Sequence, residues 1–263
     1  MARLGQNFLG DPNLLAAIVR ESGVGSDDVV LEVGGGEGVL STRVAPLVRK
    51  LYVVEIDRQL EPRLTKALRD HENAELIWAD AMQFDLRALD PEPTAMVANL
   101  PYSVATPVLI RTITELPRIT SWTVMVQREI GDRLRAKPGT KTYGSPSVIT
   151  QLACDVRMIR PVGRKVFFPP PRVDSALIGM RRHGPGADPW TATVVRGGFK
   201  HRRKTMAGSL ALAGVTSAEA ARDAIAAAGF DPGTRAEALA PDAFPKIASH
   251  LDPNRRKDGA PDG

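Results

Sequence analysis

Hydrophobic residues along this chain follow two alternating patterns. Short apolar runs predict buried strands, and the segments between them, with apolar residues every three or four positions, predict helices. The predicted strands are Val29–Val33, Leu51–Asp57, Glu75–Asp80, Ala95–Asn99, Trp122–Val126, Val156–Ile159 and Ala176–Met180. Because strands alternate with helices, we predict an α/β fold with a doubly wound, mostly parallel sheet.

The ends of the first helix are predicted from residue types that favour them. Asp11 suits a helix N-cap, Pro12 suits the first helical position, and Gly23 suits the residue after the helix. A second helix, ended or kinked by Pro46, is expected to turn four apolar side chains inward: Val39, Leu40, Val44 and Leu47. Further helices are predicted around Leu60–Leu68 and over Pro107–Leu116, Gln127–Ala136 and Ser147–Ala153.

The composition of the chain changes near residue 183. The segment His183–Asp188 is polar and rich in Gly and Pro, which is typical of a linker. Alanine-rich segments follow over Thr193–Leu212, Ser217–Ala228 and Pro241–Leu251, and they predict a small helical domain. We therefore predict one domain over residues 1–183, a helical domain over 184–252 and a disordered, charged tail over 253–263.

Bulk composition narrows the function classes. The chain has 263 residues and a formal net charge of +5, which is compatible with a polyanionic partner but does not require one. A single cysteine, Cys154, excludes an internal disulfide and a cysteine-based metal site, and no metal is expected. Without a signal-peptide core or an apolar stretch long enough to span a bilayer, we expect a cytoplasmic protein that binds no membrane.

A glycine cluster follows the first long apolar run. The pattern is Glu32-x-Gly34-x-Gly36-x-Gly38, and glycines between a strand and a helix let a ligand approach the backbone closely. The dinucleotide fingerprint fits poorly, because its third small residue, counted from Gly34, falls on Val39. The pattern instead resembles the first motif of S-adenosylmethionine-dependent methyltransferases.

Acidic side chains follow the next two predicted strands. Glu55 lies 21 residues after Gly34, where an acidic side chain takes the ribose hydroxyls of an adenosyl ligand. Asp80 is placed to accept a hydrogen bond from the adenine amino group of such a cofactor. Each carboxylate alone is more often a solvated strand end or a helix cap. Together with the glycine cluster and Asn99, at four successive strand ends, they favour a methyltransferase.

The segment Asn99-Leu100-Pro101-Tyr102 suits a flat ring that carries an amino group. The Asn99 amide oxygen and a backbone carbonyl can accept the two amino hydrogens, while Tyr102 stacks on the ring. Pro101 has no N–H and a fixed φ, so it stops the strand and leaves a neighbouring carbonyl free. The alternative is a strand that simply ends in a Pro-Tyr turn.

Taken in chain order, six motifs resemble those of the ribosomal RNA adenine-N6 dimethyltransferases. They are Gly5-Gln6-Asn7-Phe8-Leu9, Gly34-x-Gly36, Val54-Glu55-Ile56-Asp57, Asp80-Ala81, Asn99-Leu100-Pro101-Tyr102 and Phe167-x-Pro169-x-Pro171-x-Val173-x-Ser175. The resemblance implies a Rossmann-like class I methyltransferase sheet, with S-adenosylmethionine as the cofactor. It implies cofactor contacts from Asn7, Leu9, Gly34, Gly36, Glu55, Asp80 and Asn99, catalysis at Asn99, Leu100, Pro101 and Tyr102, and a target adenine flanked by Tyr102 and Phe167.

Two branches of that family share these motifs. One dimethylates two adjacent adenines near the 3′ end of small-subunit (16S) rRNA, and its loss confers kasugamycin resistance. The other methylates large-subunit (23S) rRNA and confers macrolide resistance. The segment Phe199–Thr205 looks like the Phe-x-x-Arg-Arg-Lys segment of the small-subunit branch, as does Arg235-Ala236-Glu237 further on.

A charge run such as Arg202, Arg203 and Lys204 is commonly a solvated helix face, but here the resemblance implies RNA contact. We therefore expect a monomer that acts on small-subunit rRNA in a pre-30S particle. Two alternatives stay open: the large-subunit methyltransferase, and an RNA-binding assembly factor in which catalysis is secondary.

Overall fold

The structure is a computed structural model that describes residues 7–252. Gly5 and Gln6 of the first motif, and the tail predicted over 253–263, lie outside the described residues. The chain divides into two compact units. The first comprises Met1–Gly131 and Asp155–His183, and the second comprises Asp132–Cys154 and Gly184–Gly263.

Within the described residues, seven strands form one sheet and two short strands form a separate pair. The strands are β1 (Phe8–Leu9), β2 (Val29–Val33), β3 (Lys50–Glu55), β4 (Ala74–Trp78), β5 (Ala95–Asn99), β6 (Ser121–Gln127), β7 (Cys154–Val162), β8 (Phe167–Phe168) and β9 (Ser175–Arg182). The order across the large sheet is β4-β3-β2-β5-β6-β9-β7, and β1 pairs with β8.

The sheet is mostly parallel, as predicted. β2 pairs in parallel with both β3 and β5, while β3–β4 and β5–β6 are also parallel, and β9 runs antiparallel to β6. Successive strands are added on one side of β2 up to β4 and on the other side from β5 onward. The point between β2 and β5 is therefore the topological switch point, where open α/β sheets bind ligands.

Ten α-helices accompany these strands in the described part of the chain. They are α1 (Pro12–Ser22), α2 (Ser41–Val44), α3 (Glu61–Leu68), α4 (Ala105–Glu115), α5 (Arg128–Leu134), α6 (Ser145–Ala153), α7 (Pro189–Lys200), α8 (Met206–Leu212), α9 (Ala218–Ala227) and α10 (Ala243–Leu251). The predicted ends of α1 are confirmed: the Asp11 carboxylate accepts a hydrogen bond from the Leu14 N–H at 2.8 Å, and Gly23 adopts a φ of +62°.

The helix predicted after the glycine cluster is shorter than expected. α2 has four residues and continues as a 3₁₀ turn over Ala45–Leu47. Leu40 and Val44 are buried as predicted, but the inward orientation predicted for Val39 and Leu47 is wrong, because both are exposed. Pro46 has no N–H to continue the α-helical hydrogen bonds, so the 3.6-residue periodicity stops before Leu47.

Two strand ends also differ from the prediction. β3 ends at Glu55, because the Asp57 carboxylate instead caps the 3₁₀ turn Arg58–Leu60 by accepting a hydrogen bond from the Gln59 N–H at 3.0 Å. β4 ends at Trp78, so Asp80 lies two residues beyond the strand.

The alanine-rich segment predicted over Thr193–Leu212 forms two helices, α7 and α8, separated by a turn. At the start of α8 the Thr205 hydroxyl accepts a hydrogen bond from the Gly208 N–H at 3.2 Å. A Thr side chain in this position is a normal N-cap, which explains why the helix restarts here.

The second unit includes a segment that the predicted domains placed in the first. Residues 132–154 belong to it because α6 packs against α7 and the buried Tyr143 hydroxyl donates a hydrogen bond to the Leu239 carbonyl at 2.9 Å. The Phe199 ring lies edge-on to Tyr143 and is stacked with Phe244, at centroid distances of 5.7 and 5.8 Å. This unit therefore has its own aromatic core. Its assignment as an RNA-binding domain stays a prediction.

One acidic side chain is buried within the central strand of the first unit. Glu32 in β2 is 1% exposed, and its Oε2 and the nearby Ser41 hydroxyl have no hydrogen-bond partner among the described residues. Burial raises the pKa of Glu32 from 4.5 to about 8; the nearby Ser41 hydroxyl opposes the rise, and the negative charge of Glu55 adds to it. Glu32 is therefore mostly protonated at neutral pH.

We predict that Gly35→Ala destabilises the first unit. A Cβ at Gly35 would overlap Cγ1 of Val53, which is buried in β3 and cannot move aside. Overpacking of this kind costs about 1–3 kcal/mol, and each kcal/mol lowers the thermal midpoint by roughly 2–4 °C. Calorimetry checks this. Gly25→Ala is the control, since nothing lies within 4 Å of a Cβ there; equal midpoints for the two variants would contradict the prediction.

We also predict that Glu32→Gln changes how stability depends on pH. The unfolded chain releases the Glu32 proton near pH 4.5, whereas the folded chain keeps it to about pH 8. The stability contributed by the protonated carboxyl is therefore lost as the pH rises through this window, by an amount on the order of a few kcal/mol. Urea unfolding should show that Glu32→Gln stabilises the protein more at pH 8 than at pH 5.

The same substitution at the exposed Glu72 is the control for this measurement. If Glu32→Gln altered the free energy of unfolding equally at both pH values, Glu32 would not carry the buried proton.

Candidate active site

A cavity of about 260 Å³ lies at the C-terminal edge of the parallel strands, within the first unit. It is bordered by the loops that follow β2, β3, β4 and β5 and by β1. The cavity brings together all the predicted cofactor and catalytic residues: Asn7, Leu9, Gly34, Gly36, Glu55, Asp80, Asn99, Leu100, Pro101 and Tyr102.

Gly34 begins the loop that follows β2. Its φ is +84°, and its N–H donates a hydrogen bond to the Val54 carbonyl at 2.8 Å. A Cβ on this residue would lie 2.9 Å from Pro101 Cδ and 3.5 Å from the Asn99 carbonyl oxygen. Only glycine combines this conformation with such a close approach, so the glycine loop and the Asn99–Tyr102 segment touch at this position.

The Glu55 carboxylate holds the same loop from β3. Its Oε2 accepts a hydrogen bond from the Gly36 N–H at 2.9 Å, and its Oε1 accepts hydrogen bonds from the Ile56 and Asp57 N–H groups, each at 2.9 Å. The sequence predicted only the ligand contact and missed this structural role. Because a carboxylate oxygen has two lone pairs, Oε2 can accept one more hydrogen bond from a ligand in the cavity.

Asp80 lies in the loop after β4. Its Oδ1 accepts a hydrogen bond from the Met82 N–H at 2.8 Å, so the carboxylate is fixed beside the cavity. Arg111 on α4 holds the loop from outside by donating hydrogen bonds to the carbonyls of Ala81 and Phe84, the second at 3.1 Å. Its guanidinium also forms a bidentate pair with Glu115, at 2.8 and 2.6 Å.

Arg111 was not predicted from the sequence. Its only signal was an Arg–Glu pair four residues apart on a helix, a pattern that usually indicates a surface ion pair.

Asn99 is the last residue of β5, at the inner edge of the cavity. Its amide Nδ2 donates a hydrogen bond to the Asn7 carbonyl at 3.3 Å, which orients the amide. Its Oδ1 and the Leu100 carbonyl accept no hydrogen bond from residues 7–252. Two acceptors on successive residues therefore border the cavity with unused capacity.

The Tyr102 ring is held in place through its hydroxyl. The hydroxyl shares a hydrogen bond with that of Ser175, a fully buried residue at the start of β9. Burial raises the pKa of Tyr102 above its usual value of 10, so the hydroxyl stays protonated at neutral pH. Ser175 was part of a recognised motif, but nothing in the sequence indicated that it contacts Tyr102.

Phe167 is not among the residues that border the cavity. It is 3% exposed, it belongs to the hydrophobic core, and in the β1–β8 ladder it is paired with Leu9. The neighbouring Phe168 is 78% exposed. Adjacent residues of a strand point to opposite faces, but a strand of two residues shows no alternation from which the sequence could tell which phenylalanine is buried.

The basic run of the second unit forms a turn between α7 and α8 and not a helix face. The Arg202 side chain binds other parts of the second unit. Its Nη2 donates hydrogen bonds to the Tyr143 carbonyl at 3.1 Å and to the Lys141 carbonyl at 3.2 Å, and it pairs with Glu237 at 3.2 Å. Arg203 and Lys204 are exposed and pair with no acidic side chain among the described residues. They are therefore better placed than Arg202 to contact an anion.

Between residues 7 and 252 no group of three or more His, Cys, Asp or Glu side chains is placed to hold a metal ion. None of the helices in that range has the length and apolar character that crossing a bilayer requires.

Comparison with known proteins identifies the family. The family model described as "Ribosomal RNA adenine dimethylase" matches residues 1–252. The ribosomal RNA small subunit methyltransferase A of Thermobifida fusca (strain YX) is 42% identical over 258 residues, which is 94% of this chain and 88% of that protein.

Two solved structures are similar over nearly their whole length. A dimethyladenosine transferase from Plasmodium falciparum has a TM-score of 0.77 at 23% identity, covering 91% of this chain and 95% of that one, and it supports the fold. The 23S rRNA methyltransferase ErmE has a TM-score of 0.65 at 27% identity, covering 94% of this chain and 100% of that one. The family model and the relative from Thermobifida fusca, which each match more than nine tenths of the chain, show that this protein belongs to the ribosomal RNA adenine dimethylase family.

Proposed function

We propose that this protein transfers methyl groups from S-adenosylmethionine to N6 of two adjacent adenines near the 3′ end of small-subunit (16S) rRNA. One observation carries the proposal: the unused acceptors of Asn99 and Leu100 border the same cavity as the glycine loop, Glu55 and Asp80. The small-subunit name of the relative from Thermobifida fusca supports this choice of substrate.

The cavity fits S-adenosylmethionine, which supplies a methyl group on a sulfonium cation. Gly34 lets the loop after β2 approach Pro101 closely, which keeps both loops at one cavity, and Glu55 Oε2 can accept a hydrogen bond from a ribose hydroxyl. Asp80 is fixed for a contact with the adenine amino group of the cofactor. Asn7, Leu9 and Gly36 complete the set that would hold the cofactor.

The target amine needs activation, because the N6 lone pair of adenine is delocalised into the ring. Asn99 Oδ1 and the Leu100 carbonyl accept the two N6 hydrogens, which favours a tetrahedral nitrogen with its lone pair directed at the methyl donor. Pro101 keeps this carbonyl out of the sheet hydrogen bonds. Such positioning contributes on the order of several kcal/mol. No strong base is required, because the methylated amine is acidic and releases its proton readily.

The target base must leave its stack to reach these acceptors, so the substrate is unpaired or flipped out. Tyr102, held by Ser175, stacks on the base and contributes roughly 1–3 kcal/mol. A stacking role for Phe167 rests on the family resemblance alone. In the second unit, Arg203 and Lys204 contact the RNA backbone, and Arg202 mainly supports the turn that carries them.

Of the two alternatives, the large-subunit activity is less well supported, because identity to ErmE is 27% against 42% to the small-subunit relative. The intact acceptor pair argues against a purely structural assembly factor. We further propose that the protein acts as a cytoplasmic monomer on a pre-30S particle. Primer extension on RNA from cells with and without this protein, read at the candidate adenines of both subunits, tests the choice of target.

We predict that Asn99→Ala lowers the rate of methyl transfer by about 100-fold or more, since it removes one of the two acceptors of the reacting amine. Cofactor affinity should fall only modestly, through loss of the bond to the Asn7 carbonyl. Tritiated methyl transfer to small subunits and calorimetric cofactor binding measure the two effects. Ser103→Ala, an exposed position beside the same cavity, is the control. Near-normal turnover by Asn99→Ala would remove Asn99 from the chemistry.

We predict that Glu55→Gln weakens cofactor binding by roughly 10-fold or more, because hydrogen bonds to a charged acceptor contribute about 1.5–3 kcal/mol. Glu55→Ala should also lower the thermal midpoint, since it frees the Gly36, Ile56 and Asp57 N–H groups. Calorimetry measures both quantities. Glu37→Gln, which alters another glutamate of the cavity, is the control. An unchanged dissociation constant for both Glu55 variants would refute the ribose contact.

A further inference from the structure

The segment from Phe168 to Asp174 exposes an unusual amount of apolar surface. Phe168 is 78% exposed, Val173 is also exposed, and Pro169 and Pro170 between them face solvent. Single exposed apolar residues need no explanation, but a run that includes a phenylalanine is typical of an interaction surface. The function proposed above does not use this segment.

Both ends of the segment are tied to residues of the cavity. At one end Phe168 is paired directly with Phe8 in the antiparallel β1–β8 ladder, and Phe8 borders the cavity. The Phe8 ring lies against the glycine loop, 3.5 Å from where a Cβ of Gly36 would be, whereas Leu9 and its partner Phe167 belong to the hydrophobic core. Directly paired residues of such a ladder have their side chains on the same face, so Phe168 lies on the side of β8 that carries Phe8, which is the cavity side. At the other end Ser175 shares the hydrogen bond with Tyr102. The exposed segment is therefore joined at both ends to residues that contact the lining of the cavity.

The charge of this surface is positive. Arg164 donates a hydrogen bond to the Arg172 carbonyl at 3.3 Å and pairs with Asp174 at 3.4 Å, so its side chain lies against the backbone of this segment. Lys165 and Arg172 are exposed, and neither pairs with an acidic side chain within residues 7–252. An exposed aromatic ring beside unpaired cations is the combination that binds single-stranded nucleic acids.

We propose that Phe168 stacks on the nucleotide next to the target adenine, while Lys165 and Arg172 bind the adjoining phosphates. The proposal deepens the proposed function and rests on it. When the target base leaves its stack, its neighbour loses a stacking partner, and an exposed ring on the cavity side of β8 replaces that partner. The surface then holds one base while the cavity holds the other, which suits a substrate with two adjacent adenines.

The test uses the full chain and a single-stranded RNA oligonucleotide in which 2-aminopurine replaces the nucleotide beside the target adenine. The fluorescence of 2-aminopurine falls when the base is stacked. We expect quenching on binding to the unchanged protein and much less with Phe168→Ala, with a dissociation constant roughly 5- to 100-fold higher. Phe168→Trp should restore both the quenching and the RNA affinity. Leu212→Ala, which removes an exposed apolar side chain in the second unit, should have no effect.

The double variant Lys165→Ala/Arg172→Ala tests the phosphate contacts separately. For single strands the slope of log affinity against log salt is about −0.7 per neutralised phosphate, so the loss of two contacts should make the slope shallower by about 1.4. An unchanged slope would overturn this part of the proposal.

Three possible outcomes distinguish a failure of this proposal from a failure of the proposed function. If the unchanged protein neither binds S-adenosylmethionine nor methylates small subunits, the proposed function fails. If it does both, and Phe168→Ala has normal RNA affinity and quenching, the stacking proposal is overturned. If Phe168→Ala changes only the mass measured by light scattering, the surface binds a second copy of the chain, and the RNA proposal is overturned as well.

Discussion

The arrangement of the site depends on the close approach of Gly34 to Pro101. These residues lie in the loops after β2 and β5, which are neighbours at the centre of the sheet where its order reverses. A Cβ at Gly34 would lie 2.9 Å from Pro101 Cδ, and the positive φ excludes most other residues. Because the backbones can meet here, the glycine loop and the two acceptors of the Asn99–Tyr102 segment border one cavity instead of two.

Several side chains of the site both hold it together and are proposed to act in it. Glu55 binds three backbone N–H groups, Asn99 binds the Asn7 carbonyl, and Tyr102 binds Ser175. For Glu55 and Asn99 the structural contact leaves an oxygen able to accept a further hydrogen bond, and for Tyr102 it leaves the ring available for stacking. Preorganisation of this kind means that substrate binding need not order these side chains, which lowers the entropic cost of reaching a reactive geometry.

The sequence predicted which residues border the cavity, apart from Phe167, because buried parallel strands have a strong local signal and all end at one edge. The prediction failed where contacts between residues far apart in the sequence determine the structure. The segment 132–154 joins the second unit through contacts such as that of Tyr143 with Leu239, 96 residues away. The choice between Phe167 and Phe168 as the exposed ring depends on pairing with β1. Helix α2 is shorter than its apolar pattern indicated, because Pro46 interrupts the helical hydrogen bonds.

In the first unit acidic side chains border the cavity, and the exposed basic side chains of Lys165 and Arg172 lie outside it. The ionisable side chains that border the cavity are Glu32, Glu37, Glu55, Asp80 and Tyr102, and the described residues that line it include no Lys, Arg or His. Glu32 is mostly protonated at neutral pH and Glu37 pairs with Arg63, so the unpaired negative charge of the cavity lies on Glu55 and Asp80. These two carboxylates favour a cationic ligand over a neutral one of the same shape. The same carboxylates repel phosphate. A neutral base can therefore enter while its backbone stays outside, on the side where Lys165 and Arg172 are exposed.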